Sequence, residues 1–307
     1  MYRRSSNNKK LNPWYITGYS DGDSSFWFSI IPNNKLKVNF EIRPGYSIIA
    51  AINPANYELM LLLDEYFCGI GSILTDNKTK MYEYRIQGFK NCLIVKNHFL
   101  SYPLMTYRLV YFTMWCDMLD LIKNKSHITI EGLNKLVNIK ASFPRGLTNN
   151  LKENFPQAHP VNLPDYEPVL SNLNYYWLSG FINTDGSFFF SLTLGVTAKI
   201  SIGQHTKSLV LLETITQFLG FGSISKIKTL ESHSEVREII ISRLSSIIAL
   251  TEKLSGEHRL YGAKYWDFLD FCRGIEIIKS KKHLTETGLS DLKKIYSGMN
   301  QRRKEFK

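Results

Sequence analysis

The stretches Trp14 Tyr15 Ile16 Thr17 Gly18 Tyr19 Ser20 Asp21 Gly22 Asp23 and Trp177 Leu178 Ser179 Gly180 Phe181 Ile182 Asn183 Thr184 Asp185 Gly186 are one pattern written twice in a chain of 307 residues. Each begins with aromatic and apolar residues, sets a small residue beside a glycine, and ends on an acid followed by Ser24 Ser25 Phe26 or Gly186 Ser187 Phe188. Asn12 is a good N-cap and Pro13 fits the first helical position, where no amide hydrogen is needed. The second copy starts by the same chemistry between Ser171 and Asn174. Asp23 and Asp185 therefore fall in the last turns of two helices, each followed by a strand.

A helix C-terminus carries partial negative charge, so a carboxylate there is unfavourable unless a cation arrives. A divalent metal would resolve that conflict. Thr17, Gly18 and Gly22, with Ser179, Gly180 and Thr184, supply small residues at helical spacing, which lets two backbones approach closely and brings the acids together. For a lone Asp at a helix end the plain reading is a solvent-facing turn residue. The duplication argues against it.

These stretches resemble the paired motifs of single-chain LAGLIDADG homing endonucleases, and the resemblance covers nearly the whole chain. Ser24 stands where that family usually has glycine and Asn183 where it usually has an acid; neither is the metal-binding position. The resemblance implies an α+β fold of two pseudo-symmetric domains, each a curved antiparallel sheet backed by helices, packed through the motif helices. It implies site-specific, metal-dependent cleavage of both strands of a long asymmetric double-stranded DNA target, leaving short 3′ overhangs. Mg2+ is the expected cofactor, with Mn2+ substituting and Ca2+ supporting binding without cleavage. The expected state is a monomer, encoded by an organellar intron, most often in a fungal mitochondrion. A maturase that binds intron RNA, or a cleavage-inactive DNA binder, is the alternative.

By resemblance Asp23 and Asp185 are the metal-binding catalytic carboxylates, with the backbone carbonyls of Gly22 and Thr184 beside them. Aligning the halves pairs Arg108 with Lys264 as basic groups at the centre, and Gln204 resembles the family's water-orienting glutamine. The first half offers only Ala51 or Ile52 near that position, so the two centres should be unequal. Asp21, whose counterpart is Asn183, reads as structural, because a required ligand should not vary between copies.

The composition is that of a globular protein, 44% apolar and 13% aromatic, with a net charge of +11 that favours a polyanionic partner. Four cysteines, Cys68, Cys92, Cys116 and Cys272, show neither zinc-ligand nor disulfide spacing and read as reduced and buried. No apolar run reaches bilayer length, and Met1 to Lys10 lacks an apolar signal region, so the expectation is a soluble intracellular protein. Arg3, Arg4, Ser5 and Ser6 resemble a transit peptide only briefly before the Asn12 cap, and a disordered basic tail is the preferred reading.

From Lys35 to Arg43 the chain alternates, with Lys35, Lys37, Asn39, Glu41 and Arg43 on one face and Leu36, Val38, Phe40 and Ile42 on the other, which predicts a strand. The polar face is either solvated or DNA-reading, since Lys and Arg suit guanine, Asn adenine and Glu cytosine in the major groove. Glu83, Arg85 and Gln87 on the strand Met81–Gln87, and Thr197, Lys199 and Ser201 on the strand 196–204, are the comparable residues. Five prolines between Pro144 and Pro168 mark a linker. The expected division is 1–143, a linker 144–172, and 173–307. Repeats at Phe67–Ile73 and Phe218–Ile224, and at Lys125–Thr129 and Lys281–Thr285, complete the duplication. His127 and His283 in the latter pair precede Thr-capped helices and read as capping or packing groups. The basic run Lys293, Lys294, Arg302, Arg303 and Lys304 reads as a solvated, fraying end.

Overall fold

The computed structural model describes residues 10–193, 195–229 and 235–303; the basic N-terminal stretch and Lys304 lie outside them. The first half runs α1 (Pro13–Asp23), β1 (Ser24–Pro32), β2 (Phe40–Ala51), α2 (Pro54–Tyr66), β3 (Ser72–Asp76), β4 (Met81–Gln87), α3 (Phe89–Ser101), α4 (Arg108–Lys123), α5 (Ile130–Ala141) and α6 (Asn149–Asn154). The second repeats the order with α7 (Tyr175–Asp185), β5 (Gly186–Ser191), β6 (Thr197–His205), α8 (Leu209–Leu219), β7 (Ser223–Ile224), β8 (Lys228–Thr229), β9 (Glu235–Ile241), α9 (Leu244–Ser255), α10 (Gly262–Lys279) and α11 (Glu286–Ser297).

The sheets are antiparallel, ordered β1-β2-β4-β3 and β5-β6-β9-β7, with β8 paired to β9. On each sheet one face is apolar and backed by helices. Phe26, Phe28, Tyr46, Ile48 and Tyr84 pack with Phe99 and Trp115 in one core; Phe188, Ile200, Ile202 and Ile239 pack with Phe268 and Phe271 in the other. Met105, from the first half, is buried in the second core. The fold is the expected α+β pair of sheets joined through α1 and α7.

Both motif helices start as their sequences dictate. Asn12 Oδ1 accepts from Trp14 N at 2.9 Å with Pro13 next to it, and Asn174 Oδ1 accepts from Trp177 N at 3.0 Å. Thr129 and Thr285 likewise cap α5 and α11 through the amides of Gly132 and Gly288, each at 3.1 Å.

Three expectations are corrected. The strand expected from Lys35 begins only at Phe40: residues 33–39 form the hairpin loop, closed by the Asn33 amide on the Asn39 carbonyl at 2.7 Å, with Asn39 at φ 58° in the left-handed region. Asparagine tolerates that conformation, and one such residue ends a strand. Cys68 is exposed, because it sits in the turn that follows α2. Arg303 is not a frayed residue: its guanidinium is 9% exposed and bonds Asp267 at 2.9 Å and Asp270 at 2.6 Å, which pins the C-terminal segment to α10. Apart from these, the proline-rich stretch forms one short helix, α6, and Leu151 and Phe155 pack into the first core.

Candidate active site

The C-terminal ends of α1 and α7 meet because the helices cross backbone to backbone. A Cβ on Gly18 would run into the Trp177 carbonyl oxygen and one on Gly180 into that of Tyr15, so only glycine fits at either position. Near the crossing's lower end, a Cβ on Gly22 would meet Thr184 and stand 3.1 Å from Asp185 Oδ2. The two acidic ends are thus within a side chain's width of each other.

Asp23 and Asp185 are both half-buried at this junction. Burial raises the Asp23 pKa, against the pull of the Arg108 and Lys264 charges. Burial, and then the charge of Asp23, pushes Asp185 up to about 7, with Arg108 and Lys264 opposing. Burial lowers the Lys264 pKa while Asp267, Asp23 and Asp185 raise it. Two acids and two bases therefore share one small, poorly solvated region.

Arg108 and Lys264, each in the first turn of its helix, reach the ends of the motif helices. Arg108 Nε donates to the Asp21 carbonyl at 2.9 Å, and its terminal nitrogens donate to the carbonyls of Gly22 and Ser24. Lys264 Nζ donates to the Gly186 carbonyl at 2.6 Å. These bonds satisfy carbonyls that a helix end leaves open and hold positive charge next to the acids. Gln204 Nε2 donates to Asp185 Oδ2 at 3.2 Å while its Oε1 accepts from His205 N at 2.9 Å, which orients the amide. In the register of the first sheet Ala50, not Ala51 or Ile52, takes the place of Gln204: Ser24 pairs with Ile48 as Gly186 pairs with Ile202.

The donor set is oxygen only, which suits a hard divalent cation. No group of three or more His, Cys, Asp or Glu gathers at any point among the described residues. Asp23 and Asp185, with the Thr184 carbonyl, are the groups that can hold a metal here; the Gly22 carbonyl is engaged by Arg108. The raised carboxyl pKa values support this fit, since a cation would offset the desolvation of both carboxylates and the repulsion between them.

Asp21 lies two residues before Asp23 and is engaged differently. It is 1% exposed and accepts from Met105 N and Thr106 N at 2.9 Å, Thr106 Oγ1 at 2.7 Å and Trp177 Nε1 at 2.8 Å. Asn183 does the equivalent job, its Oδ1 accepting from Tyr261 N at 2.9 Å. Both fix the segment that leads into α4 or α10.

The faces of the two sheets away from the helices lie open. The first carries Glu41 and Arg43 on β2 and Glu83, Arg85 and Gln87 on β4; Glu41 pairs with Arg43 at 2.9 Å and Glu83 with Arg85. Lys35, Lys37 and Asn39 stand apart on the hairpin tip. The second face carries Thr197, Lys199 and the Lys228–Glu238 pair at 3.2 Å, with Ser201 only 8% exposed and Lys199 Nζ 5.1 Å from the Phe189 ring centre. On the first sheet, Trp27, Ser25 and Ser29 on β1 and Ser47 on β2 also face the open side, in register with Arg43 and Arg85. The alternation of β1 signals them in the sequence. Gly45 is required beneath Trp27, whose indole occupies the space a Cβ would take.

A family model described as LAGLIDADG endonuclease matches residues 16–119 and 178–275, one match per half. The chain belongs to the LAGLIDADG endonuclease family. The "Probable intron-encoded endonuclease 2" of Neurospora crassa is 30% identical over 293 residues, which is 92% of this chain and 64% of that protein. The chain thus spans less than two thirds of that relative's length. Among solved structures, the I-SmaMI LAGLIDADG homing endonuclease bound to cleaved DNA is 30% identical with a TM-score of 0.86, covering 96% of this chain and 99% of that one. The same enzyme bound to an uncleaved DNA target in the presence of calcium ions is 29% identical, with a TM-score of 0.84 and coverage of 95% and 99%. No helix among the described residues is long and apolar enough to cross a membrane.

Proposed function

We propose that this LAGLIDADG protein is a monomeric, site-specific endonuclease that cuts both strands of a long double-stranded DNA target and leaves short 3′ overhangs. The observation that carries the reading is the meeting of Asp23 and Asp185, one from each half, between the two basic side chains Arg108 and Lys264. A net charge of +11 and two open polar sheet faces support a duplex partner. The division into domains 1–143 and 173–307 with a linker at 144–172 belongs to this reading, as does origin in a fungal mitochondrial intron.

Asp23 and Asp185 would hold Mg2+, or Mn2+ in its place. Bound there, the ion supplies a water of lowered pKa and neutralises charge on the scissile phosphate. The chain's own groups do the rest. Arg108 and Lys264 draw a phosphate to the acidic ends and offset the charge that develops on it. Gln204, held by Asp185, orients water at one centre, and Ala50 leaves the other without an amide, so the strands should be cut at unequal rates. Glu41, Arg43, Glu83, Arg85, Gln87, Thr197, Lys199 and Ser201 would read base edges or phosphates from the sheets, with Lys35, Lys37 and Asn39 reaching the backbone from the hairpin tip.

The direct test is incubation with a duplex carrying the uninterrupted junction into which its own intron inserts, with Mg2+. Cleavage of both strands supports the proposal. Duplex binding without cleavage would instead make the chain an inactive DNA binder, and tight binding of the intron RNA alone would make it a maturase.

A further inference from the structure

The first amides of a helix usually find an acceptor in their own cap residue. Those of α4 and α10 do not, because the N-cap residues Tyr107 and Tyr261 make no side-chain cap bond. At α4 the Arg108 amide bonds Thr106 Oγ1 of its own half at 3.3 Å and the opposite half takes the N-cap amide before it, whereas at α10 the opposite half takes a first-turn amide. Ser208 Oγ, at the start of α8, accepts from Tyr107 N at 3.0 Å, and Asn56 Oδ1, in the first turn of α2, accepts from Ala263 N at 2.8 Å.

Both acceptors are built in. Ser208 is 1% exposed and Asn56 8%. Asn56 is fixed by its own amide on Asn53 Oδ1 at 2.8 Å and by its Nδ2 on the Ala51 carbonyl at 2.9 Å, so its Oδ1 is the atom turned toward α10. Gly262 matches that arrangement twice: its φ is +61°, and a Cβ there would run into Asn56 Oδ1. The residue after Tyr107 is Arg108, and the residue after Ala263 is Lys264.

We propose that Ser208 and Asn56 are cross-domain positioning residues, each setting the basic side chain that the opposite half contributes to cleavage: Ser208 sets Arg108 and Asn56 sets Lys264. This rests on the nuclease reading above. It links the placement of each basic group to the docking of the two halves, Lys264 more strongly than Arg108. The two contacts are not equivalent. Arg108 is also held by three carbonyls of its own half, whereas Lys264 bonds the Gly186 carbonyl alone, so Asn56 matters more.

The test measures the rate of cutting of each strand separately, in Mg2+, with thermal melts alongside. Asn56→Ala should slow the strand that Lys264→Met slows, by about five- to tenfold, the size of one lost hydrogen bond plus a small misplacement, and leave the other strand near its wild-type rate. Combined with Lys264→Met it should add no further slowing. Ser208→Ala should act weakly on the strand that Arg108→Met slows, and Ser208→Thr, which keeps the hydroxyl, should restore it. Asn56→Ser replaces Asn56→Ala if the latter does not fold. A purely structural role would lower the melting temperature without changing the ratio of strand rates. Equal slowing of both strands, slowing of the wrong strand, or additivity with Lys264→Met overturns the proposal. A wild-type chain that cuts neither strand overturns the nuclease reading, and this one with it.

Discussion

Asp21 shows how a motif acid is assigned by what surrounds it. Four donors converge on its buried carboxylate, and all come from Met105, Thr106 or Trp177, which leaves no open side for a cation. Asp21→Asn would turn an amide NH2 toward donors, so it should cost about 2 kcal/mol of stability in urea melts. If Asp21→Asn instead left stability unchanged and abolished cleavage, the structural role would be wrong. His98 makes the second residue-scale point. It is 7% exposed, lies between Thr17 Oγ1 at 3.2 Å and Tyr66 OH at 2.9 Å, and burial pushes its pKa down to about 3 from 6.5. The folded state binds its proton less readily than the unfolded one, so its contribution is complete above pH 6.5 and shrinks as pH falls. At pH 5 the loss should be about 2 kcal/mol relative to pH 7.5, and His98→Gln should flatten that dependence in urea melts at the two pH values. An unchanged slope in the variant would contradict it. The Asp21 assignment was legible in the sequence from its mismatch with Asn183. The His98 environment was not, because its partners come from α1 and α2 and meet only on folding.

At the scale of elements, the crossing of α1 and α7 is the most constrained contact. Gly180→Val would place two methyl groups against the Tyr15 carbonyl, with no flexible neighbour to give way. It should cost more than about 3 kcal/mol, and soluble expression or a melting curve reads it. A melting temperature within a degree or two of wild type would mean the helices do not cross as described. This element was readable because capping, small-residue spacing and the terminal acids are all local properties. The hairpin tip was not. Lys35 to Arg43 alternates without a fault, yet the left-handed Asn39 and the pairing of Pro32 with Phe40 end the ladder there. Alternation marks what a segment would do if paired; the turn decides whether it is. The pairing of Ser208 and Asn56 with the opposite half had no sequence signal either, because each bond joins residues far apart in the chain.

At the scale of the molecule, two similar halves carry different chemistry on their open faces. The first presents Glu41, Arg43, Glu83, Arg85 and Gln87, the second Thr197, Lys199 and the Lys228–Glu238 pair, with Ser201 nearly buried among them. Each sheet's longer strand spans roughly one duplex turn, so the target should cover on the order of 20 base pairs and be asymmetric. Base substitutions in the half-site under the first sheet should cost about 1 to 3 kcal/mol each, and more than those under the second. Arg43→Ala should relax sequence choice, while Lys35→Ala, at the hairpin tip, should mainly weaken binding. A palindromic preference in a substitution scan would reject this arrangement. The central claim remains that Asp23 and Asp185 together hold the metal for cutting both strands of DNA. The measurement that meets it most directly compares wild type with Asp23→Asn and Asp185→Asn on the same duplex, cleavage followed in Mg2+ and binding in Ca2+. The account predicts that each variant binds within about tenfold of wild type and loses double-strand cleavage by more than about a hundredfold. Full cleavage by either variant would contradict it.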